Sequence, residues 1–216
     1  MAKPCCPQCE GIELMFDEES VDNDARTYRA EGPDETTVWL LDELKRHGVK
    51  GSTVLDIGGG LGAIQHELLK NGASSSVHVD ASSAYIEGAK REAKRRKLSD
   101  KIEFHHGNFV DLAPELAPAD IVTLDKVICC YHDMPRLVRA SARLAEKYYA
   151  IVVPRDRWLF RVAARLMNFG LRIFRNPYRM FVHPHKKIEG ILRKAGLKHS
   201  FSRDNFLWHV AVYIRT

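Results

Sequence analysis

An open, mostly parallel α/β sheet with helices on both faces is the fold this sequence predicts, and three stretches predict it. In the first, the apolar run Thr53-Val54-Leu55-Asp56-Ile57 meets the glycine cluster Gly58-Gly59-Gly60-Leu61-Gly62, and the amphipathic pattern of Ile64, Leu68 and Leu69 follows. Strand, tight turn and helix in that order form the first βα unit of such a sheet. The second is Asp80, which ends another short apolar run about twenty residues further on, where a carboxylate of this fold reaches a ribose. The third is the chain end: residues 197–201 and 207–214 alternate like a closing antiparallel hairpin.

The elements follow in order. Residues 1–32 are polar, acidic in part (Asp17, Glu18, Glu19, Asp22, Asp24) and without clean periodicity; Ile12, Leu14, Met15, Phe16 and Tyr28 give them a way to dock. They are expected to be an N-terminal extension covering the active site, and residues 33–216 the domain proper. Gly32-Pro33 breaks the chain, Asp34 caps a helix with Leu40, Leu41 and Leu44 on its apolar face, and Gly48 and Gly51 end it. The helix after the glycine cluster runs to about Lys70, where Asn71-Gly72 stops it. Strand two is 77–80 and a basic helix spans 85–97. Strand three, 101–105, leads into Gly107-Asn108-Phe109. Strand four, 120–124, ends at Asp125; a helix over 135–146 and strand five over 148–153 continue the alternation. Residues 154–183 interrupt it as a cap insertion rich in arginine and aromatic side chains, with Arg157, Arg161 and Arg165 on one helix face. A last helix follows His183-Pro184.

At 216 residues the chain predicts one domain. No apolar run approaches bilayer length, and Met1-Ala2-Lys3-Pro4-Cys5-Cys6 lacks the apolar core of a secretory signal, so a cytoplasmic protein is expected. A formal charge of +5 is too mild to argue for nucleic acid by itself. The five cysteines, Cys5, Cys6, Cys9, Cys129 and Cys130, do not read as a secreted disulfide framework. Cys6-Pro-Gln-Cys9 has half the spacing of a zinc site, so all five could meet in a thiol-rich metal site if the extension folds over the strand ends; reduced, inert thiols are the alternative.

Gly58-x-Gly60-x-x-Ala63 fits a dinucleotide fingerprint in relaxed form, and Asp56 narrows the choice. A carboxylate just before the glycines repels a pyrophosphate but favours an ammonium and a sulfonium, which points to S-adenosyl-L-methionine. The expected cofactor-binding residues are Asp56, Gly58, Gly60 and Gly62 at the turn, Asp80 and Ala81 after strand two, Gly107, Asn108 and Phe109 at the adenine, and Asp125 at the end of strand four. Asn108 can accept from the adenine amino group. The segment from Lys126 to Asp133 forms the wall facing the substrate. The catalytic candidates are His132 as a base whose ordinary pKa lies near working pH, Tyr131 and Tyr28 as orienting groups, and Asp125. Arg155 or Arg157 could hold an anionic acceptor bidentately.

With these motifs on residues 56–62, 80, 107–109 and 124–125, and with the terminal hairpin, the chain resembles the class I S-adenosylmethionine-dependent methyltransferases over residues 33–216. The resemblance implies a Rossmann-like seven-stranded class I methyltransferase sheet. Within that superfamily the chain is similar to the magnesium-protoporphyrin O-methyltransferases in Leu124-Asp125 and the following Cys-Tyr-His segment, in Leu144-Ala145-Glu146-Lys147, in the basic apolar insert and in His183. Such relatives methylate a porphyrin propionate. This chain departs from them with Ile128-Cys129-Cys130-Tyr131, which displaces the histidine to His132, and with Asn108 where an acid is usual. The expectation is a methyltransferase acting by in-line transfer on a small anionic or flat apolar molecule, a porphyrin-type carboxylate or a thiol. Nucleic acid is not an expected partner; the basic cap could touch a membrane surface. A nucleic-acid methyltransferase, a non-catalytic S-adenosylmethionine or metal-thiolate binding protein, and a nicotinamide enzyme are the competing classes.

Overall fold

The computed structural model describes residues 7–216. Its elements are α1 (Pro7–Met15), α2 (Glu18–Glu31), α3 (Glu35–His47), β1 (Thr53–Ile57), α4 (Ala63–Lys70), β2 (Ser75–Asp80), α5 (Ser83–Arg95), β3 (Ile102–His106), the one-turn α6 (Phe109–Leu112), β4 (Ala119–Asp125), α7 (Met134–Leu144), β5 (Ala145–Pro154), α8 (Trp158–Ile173), α9 (His185–Lys194), β6 (Leu197–Asp204) and β7 (Trp208–Arg215). The strands form one seven-stranded sheet in the order β3-β2-β1-β4-β5-β7-β6. β1 to β5 are parallel; β7 runs antiparallel to both β5 and β6. This is the seven-stranded, mostly parallel sheet with a closing antiparallel hairpin that the sequence predicts.

Alternation along each strand divides the core into two layers. Leu55, Ile57, Val122, Leu124, Ile151 and Ala211 point into the layer shared with α7 and α9. Their neighbours Val54, Ile121, Ala150, Val152, Val210 and Val212 point into the layer covered by α3 and α4. Fully buried Leu40, Leu44 and Leu68 anchor the second layer, each stabilising by about 1.5–3 kcal/mol.

Two local readings of the sequence are corrected here. The stretch without clean periodicity in the sequence forms two helices, α1 and α2, broken at Phe16 and Asp17. Asp17 caps α2 by accepting from the Ser20 N–H, Gly32 ends it, and Val21, Ala25 and Tyr28 form its buried face at i, i+4 and i+7 spacing. The acidic side chains on the other faces mask that stripe. The helix expected through Glu146 stops at Leu144, because Ala145 already pairs with Ala119 across the β4–β5 ladder. The basic face of α5 is largely internally neutralised: Lys90 pairs with Glu87, Arg91 with Asp22, and Arg29, Arg95 and Arg96 gather round the buried Glu92. Glu92 thereby ties α2 to α5. Among the described residues no helix is long and apolar enough to cross a membrane.

Candidate active site

After β1 the chain turns through Gly58, Gly60 and Gly62, with φ of 61°, 55° and 82°, a region where only glycine is comfortable. Space is as restrictive as torsion. A Cβ on Gly58 would overlap the Val127 side chain, and one on Gly59 would lie 2.7 Å from both Asp56 Oδ2 and the His78 ring. The Gly58 N–H donates to Val79 O at 2.6 Å, and the Gly60 N–H to Asp80 Oδ2 at 3.0 Å. The other Asp80 oxygen accepts from the Ser82 N–H at 2.9 Å. The turn is therefore pinned between the ends of β1 and β2 and the chain after β4.

A cavity of about 910 Å³ opens over it, ample for a small ligand. Gly58, Gly60, Asp80, Ala81, Gly107, Asn108, Phe109 and Asp125 all line it, with Asp56 at its base and Tyr28 and Tyr131 on its walls. Two expected residues do not. Gly62 is the left-handed residue ahead of α4, where a Cβ would lie 2.5 Å from Gln65 Nε2; its glycine serves the turn. His132 is exposed, stacked on the outer side of Tyr131, because Asp133 caps α7 immediately after it and turns it outward. The Tyr28 hydroxyl meets His66 Nδ1 at 3.4 Å, its ring carries the Arg96 guanidinium at 4.5 Å, and burial pushes its pKa up to about 12. Tyr28 is a wall rather than a base.

The carboxylates are strongly perturbed. Asp56 is 1% exposed. One oxygen accepts from Thr123 Oγ1 at 2.6 Å and the other has no hydrogen-bond partner. Burial raises its pKa to about 7, against the bond from Thr123. Burial likewise raises Asp80 to about 6. Asp125 accepts from Thr37 Oγ1 at 2.5 Å and lies 3.6 Å from Lys126 Nζ; its Oδ1 has no hydrogen-bond partner, and burial raises its pKa. Lys126, with φ of 60°, also pairs with Asp34, the cap of α3. Asn108 uses its carbonyl oxygen to accept from the Val110 N–H at 3.2 Å, capping α6, and donates to Asp111. The oxygen expected to accept from an adenine thus already has a structural duty.

Several contributors were hidden from sequence reasoning because their partners are far away in the chain. Gln8 Nε2 donates to Cys130 O at 2.5 Å and Arg179 O at 3.1 Å. Phe16 packs edge-on to Tyr85 and to Tyr178, at 5.9 Å and 5.8 Å between centroids. The Tyr85 hydroxyl donates to Asp24. The α1 and α2 residues Gln8, Cys9, Ile12, Asp24 and Tyr28, and Phe16 between the helices, all line the cavity. Cys129 and Cys130 line it too, with sulfurs 3.8 Å apart, and Cys130 Sγ lies 3.1 Å from the Tyr178 hydroxyl. Cys9 is buried in the same wall; Cys5 and Cys6 lie outside the described residues, among which no group of three side chains is placed to hold a metal. Arg155 pairs with Asp204, and Arg157 is exposed. Among the described residues no arginine lines the cavity, and Lys126 is its one lysine.

Residues 54–147 match the family described as a methyltransferase domain. That match spans under half of the chain. Curated relatives of that domain include the ribosomal protein L11 methyltransferases of Alkaliphilus oremlandii (strain OhILAs), 31% identical over 91 residues, and of Alkaliphilus metalliredigens (strain QYMF), 26% identical over 135. These matches cover 42% and 62% of this chain but only 28% and 43% of those proteins. Among solved structures, magnesium protoporphyrin IX methyltransferase from Synechocystis PCC 6803 with bound SAH aligns at a TM-score of 0.74 with 16% identity, covering 95% of this chain and 98% of that one. Geranyl diphosphate methyltransferase in complex with GPP and sinefungin aligns at 0.77 with 14% identity, covering 99% and 100%. The likeness to the porphyrin enzyme noted in the sequence thus extends to the fold over 95% of the chain.

Proposed function

We propose that the chain binds S-adenosyl-L-methionine across the glycine turn and methylates a small, apolar acceptor that is neutral or cationic where it meets the site. The carrying observation is the charge of the cavity. Asp24, Glu31, Asp34, Glu35, Asp56, Asp80 and Asp125 line it against Lys126. Lys126 is itself held by Asp34 and Asp125.

The residues suit the cofactor. Carboxylate oxygens without hydrogen-bond partners on Asp56 and Asp125 favour a ligand bearing an ammonium and a sulfonium. Asp80 is already fixed by two backbone donors, leaving lone pairs for ribose hydroxyls. Phe109 and Asn108 stand at the adenine position. When bound, the cofactor supplies an electrophilic methyl group. The chain's part is positioning and exclusion of water. Asp125, with its raised pKa, can take a proton from the acceptor, and Lys126 and Thr37 hold it in place. Tyr131, Tyr178 and Met180 give the acceptor an apolar wall, and α1 and α2 cover the strand ends.

The anionic acceptor suggested by the likeness to the porphyrin enzymes fits less well, since an ionised propionate would face these carboxylates without an arginine. A phenol, amine or small thiol fits better. A protein amine is the second reading: the curated relatives are named for a ribosomal protein, and an acid-lined cavity suits a lysine.

Methyl transfer from labelled S-adenosylmethionine should be measured on panels of phenols, amines, thiols, porphyrin carboxylates and purified ribosomal proteins. Turnover confined to the first three supports the reading. Preference for a carboxylate would overturn the charge argument, and preference for a ribosomal protein would establish the second reading.

A further inference from the structure

The cap helix α8 buries little of its apolar side. Toward the protein it sends Ala164, the helix's buried residue; Phe160, edge-on to Phe206 at 5.7 Å; and Asn168, which exchanges two hydrogen bonds with the Met180 backbone, 2.7 Å to O and 2.9 Å from N. On the opposite face, at i, i+4, i+8, i+11 and i+15, stand Trp158, Val162, Leu166, Phe169 and Ile173. Leu166 is 67% exposed and Phe169 65%. The stripe is about 24 Å long at 1.5 Å per residue, and monomeric soluble proteins rarely leave so large an apolar face open.

Charge narrows what can cover it. Arg161, Arg165 and Arg172 run along one flank, and the helix has no acidic residue. Arg161 pairs with Asp156, whereas Arg165 and Arg172 have no ion-pair partner among the described residues. Tryptophan at one end, large aliphatic and aromatic side chains along the face, and arginine alone on the flank suit a helix lying in the plane of a lipid interface. We infer that α8 docks the protein peripherally on an anionic phospholipid bilayer, its Trp158–Ile173 face in the acyl boundary and its arginines among the headgroups. Through Asn168 and Met180 the docking helix is bonded directly to a wall of the cavity. A docked molecule therefore holds its cavity beside a lipid phase, in which apolar acceptors concentrate. The docking itself does not depend on the proposed reaction.

Sedimentation of the full chain with phosphatidylcholine vesicles, with and without phosphatidylglycerol, tests it. Binding is expected to the anionic vesicles only, with a blue shift in tryptophan emission that Trp158→Phe abolishes. A Leu166→Glu, Phe169→Glu double variant should lower the partition coefficient at least about tenfold. Arg165→Glu with Arg172→Glu should erase the preference for anionic lipid. All these side chains are exposed, and an unchanged melting temperature with and without S-adenosylhomocysteine would verify that the variants are folded. Absence of vesicle binding, or equal binding by the Leu166→Glu, Phe169→Glu variant, overturns the inference. So does a doubled mass by light scattering that Leu166→Glu returns to monomer while vesicles remain unbound, which would make the face a self-interface.

Discussion

Asp56 and Asp80 bind a proton more tightly in the folded chain than in the unfolded one, where their pKa is near 3.8. Their contribution to stability is complete below that value and is lost as pH climbs through about 6 for Asp80 and about 7 for Asp56. His66 and His78 act oppositely: burial lowers them to about 4 and about 3, so they cost stability as pH falls below their unfolded value of 6.5. Between pH 6.5 and 8 the two effects oppose each other: the histidines still release their cost while Asp56 and Asp80 lose their contribution. Relative to the unsubstituted chain, Asp56→Asn should shift the slope of the ligand-free melting temperature across that window toward greater stability with rising pH. Over the same window S-adenosylmethionine affinity, by calorimetry, should rise as Asp56 ionises; an unchanged affinity in Asp56→Ala would refute its electrostatic role. The Cys130 thiol is held below its usual range by hydrogen bonds from Cys129 and Tyr178 despite burial, and Cys129 is pushed up. Iodoacetamide should therefore label Cys130 before Cys129, and Tyr178→Phe should slow that labelling by about threefold or more. The glycines and Asp80 were legible in the sequence because turn geometry demands them within a few residues. Lys126, Gln8 and Tyr178 were not, since their roles come from partners dozens of positions away, and His132 misled because proximity in sequence to a strand end does not decide which way a side chain turns.

Gly11 is what lets α1 lie flat on the backbone of residues 177–178. A Cβ there would overlap Tyr178 N and lie 2.5 Å from Tyr178 Cα, and backbone cannot step aside as a flexible side chain can. Gly11→Val is expected to lift α1 off the cavity, costing roughly 1–3 kcal/mol. Hydrogen exchange should then rise in residues 7–16 while β1 to β5 stay protected, and the acceptor KM should rise. Periodicity was strong enough to place α3, α4, α7 and α9 from sequence, since each sets a continuous apolar stripe against the sheet. It failed for α1 and α2, whose short apolar faces meet α5 and the cap rather than the sheet. The Arg157, Arg161 and Arg165 spacing did mark α8 as a helix, yet it said nothing about which of its faces would be left open.

At the scale of the whole molecule the doubly wound sheet was readable almost strand by strand, because β-strand alternation, glycine turns and the terminal hairpin all point to the same topology. What the sheet offers a ligand is gathered from the ends of β1, β2 and β4, with Asn108 just beyond β3, so occupancy should stabilise the entire domain. At a hundredfold excess over its Kd, S-adenosylhomocysteine should add about 2.7 kcal/mol, or about 5–10 °C for a chain of this size. NAD should add nothing. A melting temperature that responds to NAD instead would contradict the cofactor assignment.

The Gln8 amide spans 122 positions to Cys130 and 171 to Arg179. Synthesis makes α1 well before residues 177–179, so its docking surface does not exist until those residues have emerged. Loop closure over such separations is slow and comes after local pairing. The contacts of α1 with Cys130 and Arg179 are therefore among the last to form, and the nascent sheet passes through a stage with its ligand-binding end uncovered.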